Sequence, residues 1–248
     1  MINIVIPMAG AGSRFAQAGY TKPKPFIDVN GKPMIVQVLE NLVYPDAHYI
    51  LIARKEHLDA EAPLASQIEK DFNATFIPIV NLTEGTACTV LYARKYINNL
   101  HPLLIANSDQ IVDINIGDYI NDCFDRQLDG SILTFIDEKR DPKWSFAQLD
   151  ADHLVTEVQE KKAISEFATV GIYLFSQGHT FVNAVIDMFI ARDRVNGEYY
   201  TCPTYNYAIR MGSKIGIYNI DAGAMHGIGT PEDLSVYLNK IESAFRFD

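Results

Sequence analysis

A chain of 248 residues with 48% hydrophobic side chains can bury a full core, and its length suits one large α/β domain or a domain with a small lobe. Its formal net charge of −10 sets it against nucleic acid and anionic membrane surfaces, so any phosphate it binds must meet a local patch of positive charge. Cys88, Cys123 and Cys202 are widely spaced and form no Cys-x-x-Cys pair, which reads as reduced thiols in a cytoplasmic protein rather than a disulfide frame or a zinc site.

The opening Met-Ile-Asn-Ile-Val-Ile lacks a basic leader and reads as a strand, Ile2–Met8, not as a signal peptide. Runs such as Pro102–Ala106 are too short to span a bilayer. Further strands are expected at Tyr49–Ala53, Ala74–Ile79, Leu103–Ala106, Ser131–Ile136 and Val170–Phe175. Helical spacing predicts Met34–Leu42, Thr86–Tyr96, Gly117–Arg126, Thr180–Ile190 and Pro231–Phe245 between and after them. Thr230-Pro231-Glu232-Asp233 introduces the last helix with a cap, a first-turn proline and acids facing the dipole. Strands alternating with helices argue for a mostly parallel sheet covered by helices. Phe146–Glu160 alternates like a hairpin around Asp150–Asp152, which makes the sheet mixed. No repeat or linker divides the chain, so residues 1–248 are read as one domain, with 137–165 and 196–203 as insertions over a site.

The first strand runs into Ala9-Gly10-Ala11-Gly12-Ser13-Arg14. Small residues there let backbone N–H groups turn toward phosphate oxygens, and Arg14 adds a permanent cation. Lys22, Lys24 and Lys32 follow, with only Asp28 offsetting them between Arg14 and Lys32. This concentration of positive charge suits a triphosphate approached by a second anion. A tight strand-end turn is the bland alternative. A dinucleotide fingerprint would want a glycine where Phe15 stands, and a P-loop would want Gly-Lys-Ser/Thr after four spacers, which is absent.

Three later segments carry polar chemistry. Glu84-Gly85-Thr86-Ala87 lies at a strand-to-helix junction and reads either as a ligand-facing turn or simply as a helix cap by Thr86. Leu103–Ala106 ends abruptly in Asn107-Ser108-Asp109, at the position where open α/β sheets bind ligands, although Asp109 could instead cap a turn. Val158-Gln159-Glu160-Lys161-Lys162 is on its own a solvated charge run. His57, His101, His153 and His179 have no metal-ligand spacing and read as surface or turn residues, and Trp144 as packing.

Taken in order, these segments resemble the nucleotidyltransferase family that includes sugar-1-phosphate uridylyl-, thymidylyl-, guanylyl- and cytidylyltransferases. The likeness runs from Ile4 to about Leu234, through Gly10–Arg14 with Lys22-Pro23-Lys24-Pro25, Gly31-Lys32-Pro33, Glu84–Ala87, Asn107–Asp109, Glu160-Lys161, Ala168–Phe175, Asn196–Tyr200 and Gly227–Asp233. It implies a three-layer, Rossmann-like α/β fold of the GT-A type with a mixed, mostly parallel central sheet. It also implies a magnesium-dependent enzyme that transfers a nucleotide from a nucleoside triphosphate to a phosphorylated acceptor, most naturally a sugar 1-phosphate for surface polysaccharide synthesis. By the same resemblance Arg14, Lys24 and Asp109 are the catalytic set, with Asp109 holding Mg2+. Ala9, Gly10, Ala11, Gly12, Ser13, Glu84, Gly85, Thr86, Asn107 and Ser108 would surround the nucleotide. Glu160, Lys161, Gly171, Glu198 and Tyr200 would meet the acceptor.

Two departures stand out. Gly227 occupies the place of a second metal-binding aspartate, and Lys162 stands where a proline usually follows the Glu-Lys pair. The alternatives are cytidylyl transfer to a phosphorylated amine or amide, or a catalytically silent sensor of nucleotide sugars on the same fold. Base, acceptor and oligomeric state, a homodimer included, stay open.

Overall fold

The computed structural model describes residues 1–245. β1 (Ile2–Pro7) leads through a glycine turn into α1 (Ser13–Gln17), the short antiparallel pair β2 (Asp28–Val29) and β3 (Lys32–Pro33), and α2 (Met34–Asn41). β4 (Ala47–Arg54), α3 (Lys55–Ala60), α4 (Ala62–Asp71), β5 (Ala74–Ile79), α5 (Thr86–Val90) and α6 (Arg94–Ile97) come next. The middle of the chain forms β6 (Leu103–Ala106), β7 (Gln110–Val112), α7 (Ile116–Asp125), β8 (Gly130–Ile136), β9 (Ser145–Leu149), β10 (Val155–Glu160) and β11 (Phe167–Phe175). α8 (Gly178–Ile190), α9 (Thr204–Arg210), β12 (Ile215–Ile220), β13 (Met225–Gly227) and α10 (Pro231–Phe245) complete it.

Nine strands form the central sheet, in the order β10-β9-β11-β6-β1-β4-β5, with β8 paired to β11 and β12 to β8. β5, β4, β1 and β6 run parallel; β11 reverses the direction against both β6 and β8. This is the expected mixed α/β sheet. β1 shows why it is covered on both faces: Ile2, Ile4 and Ile6 join one cluster with Ile35, Leu39 and Tyr119. Val5 joins the opposite cluster with Ala87, Phe181 and Tyr205. Alternating side chains of one strand thus reach α2 and α7 on one side and α5, α8 and α9 on the other.

The hairpin expected around Asp150–Asp152 forms as β9–β10, and its turn is closed by the Asp150 carboxylate, which accepts from the amides of Asp152 and Leu154 at 2.9 Å each. The helix expected over Thr86–Tyr96 is broken instead by a 3₁₀ turn at Leu91–Ala93. Its buried residues, Ala87, Val90, Ala93 and Ile97, recur mostly three apart, a stripe that a three-residue turn keeps on the sheet better than an α-helix does. His57 also departs from expectation. Its ring is only 12% exposed within α3, and burial together with the Arg54 cation holds its pKa below the ordinary value. No described helix is long and apolar enough to cross a membrane.

Candidate active site

The sheet changes direction of growth at β1, with β4 on one side and β6 on the other, and the loops that leave the carboxyl ends of β1 and β6 open onto a cleft of about 630 Å³. Ala9, Gly10, Ala11, Gly12, Ser13 and Arg14 line its mouth. Gly12 adopts φ +62°, and a methyl there would approach the Lys24 Cβ to 3.2 Å, so the loop lies directly on the lysine. Phe15, whose bulk argues against a dinucleotide fingerprint, is the anchor of this loop. It is buried with Ile27, Met34, Ile111 and Ile228 in a small separate cluster that ties α1 to the carboxyl-terminal segment. Arg14 is exposed and has no acidic partner among the described residues.

Opposite the loop, Lys24 forms an ion pair with Asp109 in which both side chains keep partial access to the cleft, 17% and 23% exposed. Gly229, beginning the approach to α10, leaves room for that carboxylate: a methyl there would come within 2.7 Å of its Oδ2. Asn107 donates its amide to the carbonyl of Gly171 at 3.0 Å. Gly171 sits at φ +94°, where the register of β11 shifts between Thr169 and Tyr173, and a methyl on it would overlap the Asn107 Nδ2 at 2.1 Å. The bulge is therefore what lets the end of β6 and β11 share one wall.

The Glu84–Thr86 turn splits the sequence-based expectation. Gly85 and Thr86 line the cleft, and Glu84 does not. The Glu84 carboxylate turns outward, 64% exposed, and pairs with Arg194 at 2.8 Å, so it is not positioned to read a base. Nor does Thr86 cap α5. The cap residue is Gly85, with no side-chain cap bond, and Thr86 Oγ1 instead accepts from the Thr201 amide at 3.1 Å. Tyr199 donates its amide to the Glu84 carbonyl at 2.7 Å, and its own carbonyl accepts from Ala87 at 3.0 Å. Residues 196–203 are thereby docked edge-on against the start of α5.

The far wall combines that segment with the β9–β10 hairpin. Glu160, Lys161, Glu198, Tyr200 and Gly171 all face the cleft. Burial pushes the Glu160 carboxyl above its ordinary range, partly offset by the hydroxyl of Ser145, which donates to it, and by Lys161. Lys161 adopts φ +55°, donates to the Tyr200 hydroxyl at 2.6 Å and lies 4.5 Å over that ring. This hydrogen bond pushes the lysine pKa up, while burial pushes up the Tyr200 phenol. Sequence reasoning missed several wall residues: Lys143, Trp144, Thr201 and Cys202. Trp144 does pack, edge-on to Phe135 at 5.4 Å, but it also lines the cleft. A lone tryptophan inside an expected insertion was the available signal.

For a metal, no group of three or more His, Cys, Asp or Glu side chains converges among the described residues. What the cleft does hold is the Asp109 carboxylate and, on the next residue, a buried Oε1 of Gln110 with no hydrogen-bond partner among the described residues. Both are hard oxygens. Magnesium commonly takes only one or two protein ligands together with phosphates and water, so the donor set fits it.

The profile of the family described as Nucleotidyl transferase matches residues 4–189. The chain is similar to the UTP–glucose-1-phosphate uridylyltransferase of Haloferax volcanii, 24% identical over 240 residues, covering 94% of this chain and 93% of that protein. It is similar over a shorter stretch to a mannose-1-phosphate guanyltransferase of Schizosaccharomyces pombe, 28% identical over 119 residues, 47% of this chain and 33% of that one. A nucleoside-diphosphate-sugar pyrophosphorylase from Vibrio cholerae shares the fold, with a TM-score of 0.80 at 23% identity over 95% of this chain and 99% of that one.

Proposed function

This chain belongs to the nucleotidyl transferase family and is a nucleotidyltransferase, and from that premise we propose that it transfers a nucleoside monophosphate from a triphosphate to a sugar 1-phosphate, releasing pyrophosphate. The observation that carries this reading is the meeting in one cleft of the Ala9–Arg14 loop, the Lys24–Asp109 pair and the Glu160–Lys161–Tyr200 wall. The relatives differ in nucleotide and sugar by their names, so the proposal stops at the class of acceptor. The product would be a nucleotide sugar of the kind consumed in surface polysaccharide synthesis.

In this mechanism the phosphate oxygen of the acceptor attacks the α-phosphorus in line with the departing pyrophosphate. A phosphate monoester is already anionic near neutral pH, so the chain need not supply a general base. Its task is to hold two anions together. Arg14 and the loop amides would take the β- and γ-phosphates, and Lys24 would stay on the α-phosphate as charge develops. Lys161 would hold the acceptor phosphate, with Glu160 and Glu198 accepting from sugar hydroxyls. A magnesium ion held by Asp109 would add charge neutralisation at the triphosphate. The assay combines the protein with Mg2+, each nucleoside triphosphate in turn, pyrophosphatase, and a pool of sugar 1-phosphates and phosphorylated amines. Mass spectrometry should show one new nucleotide conjugate of a sugar. A conjugate of an amine would refute the acceptor class, and nucleotide binding without any conjugate would favour the silent sensor.

A further inference from the structure

Gln110 opens β7 directly after Asp109 and pairs in register with Gly227 of β13. Its backbone is held by that short ladder, yet its amide Oε1 is buried and accepts no hydrogen bond from the described residues. Buried acceptors are nearly always satisfied, so an orphan at the edge of a polar cleft calls for a partner. The surroundings say which kind. A methyl at Gly227 would lie 3.8 Å from the Gln110 Oε1, and a methyl at Gly229 would lie 2.7 Å from the Asp109 Oδ2. Gly227 thus leaves the amide oxygen, and Gly229 the Asp109 carboxylate, with no side chain laid over it, and Asp109 and Gln110 both line the cleft. Lys24 makes its ion pair with Asp109 and no hydrogen bond with Gln110.

We infer that Gln110 is a second protein ligand for a divalent cation at Asp109, offering its amide oxygen. The inference rests on the cleft being a site for a metal-bound nucleoside triphosphate. Protein donors of this kind supply one negative charge between them. Affinity for the ion alone should then be low, and the cation should enter with the nucleotide, whose phosphates provide the remaining charge.

The test is a Mn2+ titration followed by the electron paramagnetic resonance signal of free Mn2+. It would use wild type, Gln110→Leu and Gln110→Glu, each with and without a non-hydrolysable triphosphate analogue. Wild type should bind Mn2+ much more tightly with the analogue than without it. Gln110→Leu should weaken that ternary binding by roughly tenfold. Gln110→Glu, which adds the missing charge, should tighten binding and make it measurable without nucleotide. Melting curves accompany each variant, and Gln110→Glu carries the result if the leucine variant does not fold. If both variants bind Mn2+ as wild type does, and Gln110→Leu melts higher because an orphan oxygen is gone, the inference falls while nucleotidyl transfer stands. If wild type takes up no Mn2+ even with the analogue, both readings fall.

Discussion

Replacing Gly85 with alanine should separate the two halves of the cleft. Gly85 holds φ 126° and ψ 173°, a region nearly reserved for glycine, where another residue costs about 1–3 kcal/mol. Space is as restrictive as torsion. The added methyl would lie 2.3 Å from the Tyr199 carbonyl oxygen and 2.6 Å from its amide nitrogen. Both are backbone atoms and cannot swing aside, so residues 196–203 must move. The two hydrogen bonds that dock them, at 2.7 and 3.0 Å, would go, at about 1 kcal/mol each. The total is roughly 3–5 kcal/mol, which for a chain of this size lowers the melting midpoint by roughly 6–20 °C. Gly10→Ala is the matched control, because its methyl meets nothing within 4 Å and its change in stability should stay within about 0.5 kcal/mol. Circular dichroism melts of the two variants and wild type make the comparison, followed by acceptor KM at a temperature where all are folded. Gly85→Ala should raise that KM, since Glu198 and Tyr200 ride on the displaced segment. Equal midpoints for the two alanine variants would refute the packing argument.

Asp109→Asn should lower kcat by about 10²–10³ with Mg2+ while shifting the midpoint by only a few degrees, because the asparagine oxygen still accepts from Lys24; full activity would remove Asp109 from the metal. Glu84→Gln should leave the nucleotide KM within about twofold, since the carboxylate faces Arg194 outside the cleft and exposed pairs contribute little. A large KM change there would restore Glu84 as a base reader. Glu160 gives a pH prediction. Its folded pKa is raised above the ordinary 4.5, so the native state holds its proton longer than the unfolded chain does, and stability falls as pH rises through that window. Glu160→Gln should therefore melt higher than wild type at neutral pH and lose that advantage below the ordinary carboxyl range. A constant difference across the titration would contradict the burial argument.

The features legible in the sequence are those set within a few residues of one another. The turn Ala9–Arg14 depends on small residues at a strand end, Asp109 on the abrupt polar stop after Leu103–Ala106, and the β9–β10 turn on Asp150 bonding its own neighbours. Short or glycine-bearing segments were less visible. α9 has seven residues, and β12, with Gly216 in its run, is recognisable mainly by its parallel partner β8. α3 and α4 bury little of their surface and so lack a strong apolar stripe.

By itself the sequence determined the main strands and helices, the small-residue loop at the end of β1 and the cations and carboxylate that follow it, because backbone torsion and apolar alternation are local properties. Only the tertiary structure decided that Glu84 turns to Arg194, 110 positions away, that Thr86 anchors Thr201 rather than a helix end, and that Trp144 reaches the cleft. The first two accompany the docking of Tyr199 on Gly85, as the bulge at Gly171 accompanies its contact with Asn107. Each is a close approach between backbones distant in sequence, which spacing along the chain does not encode.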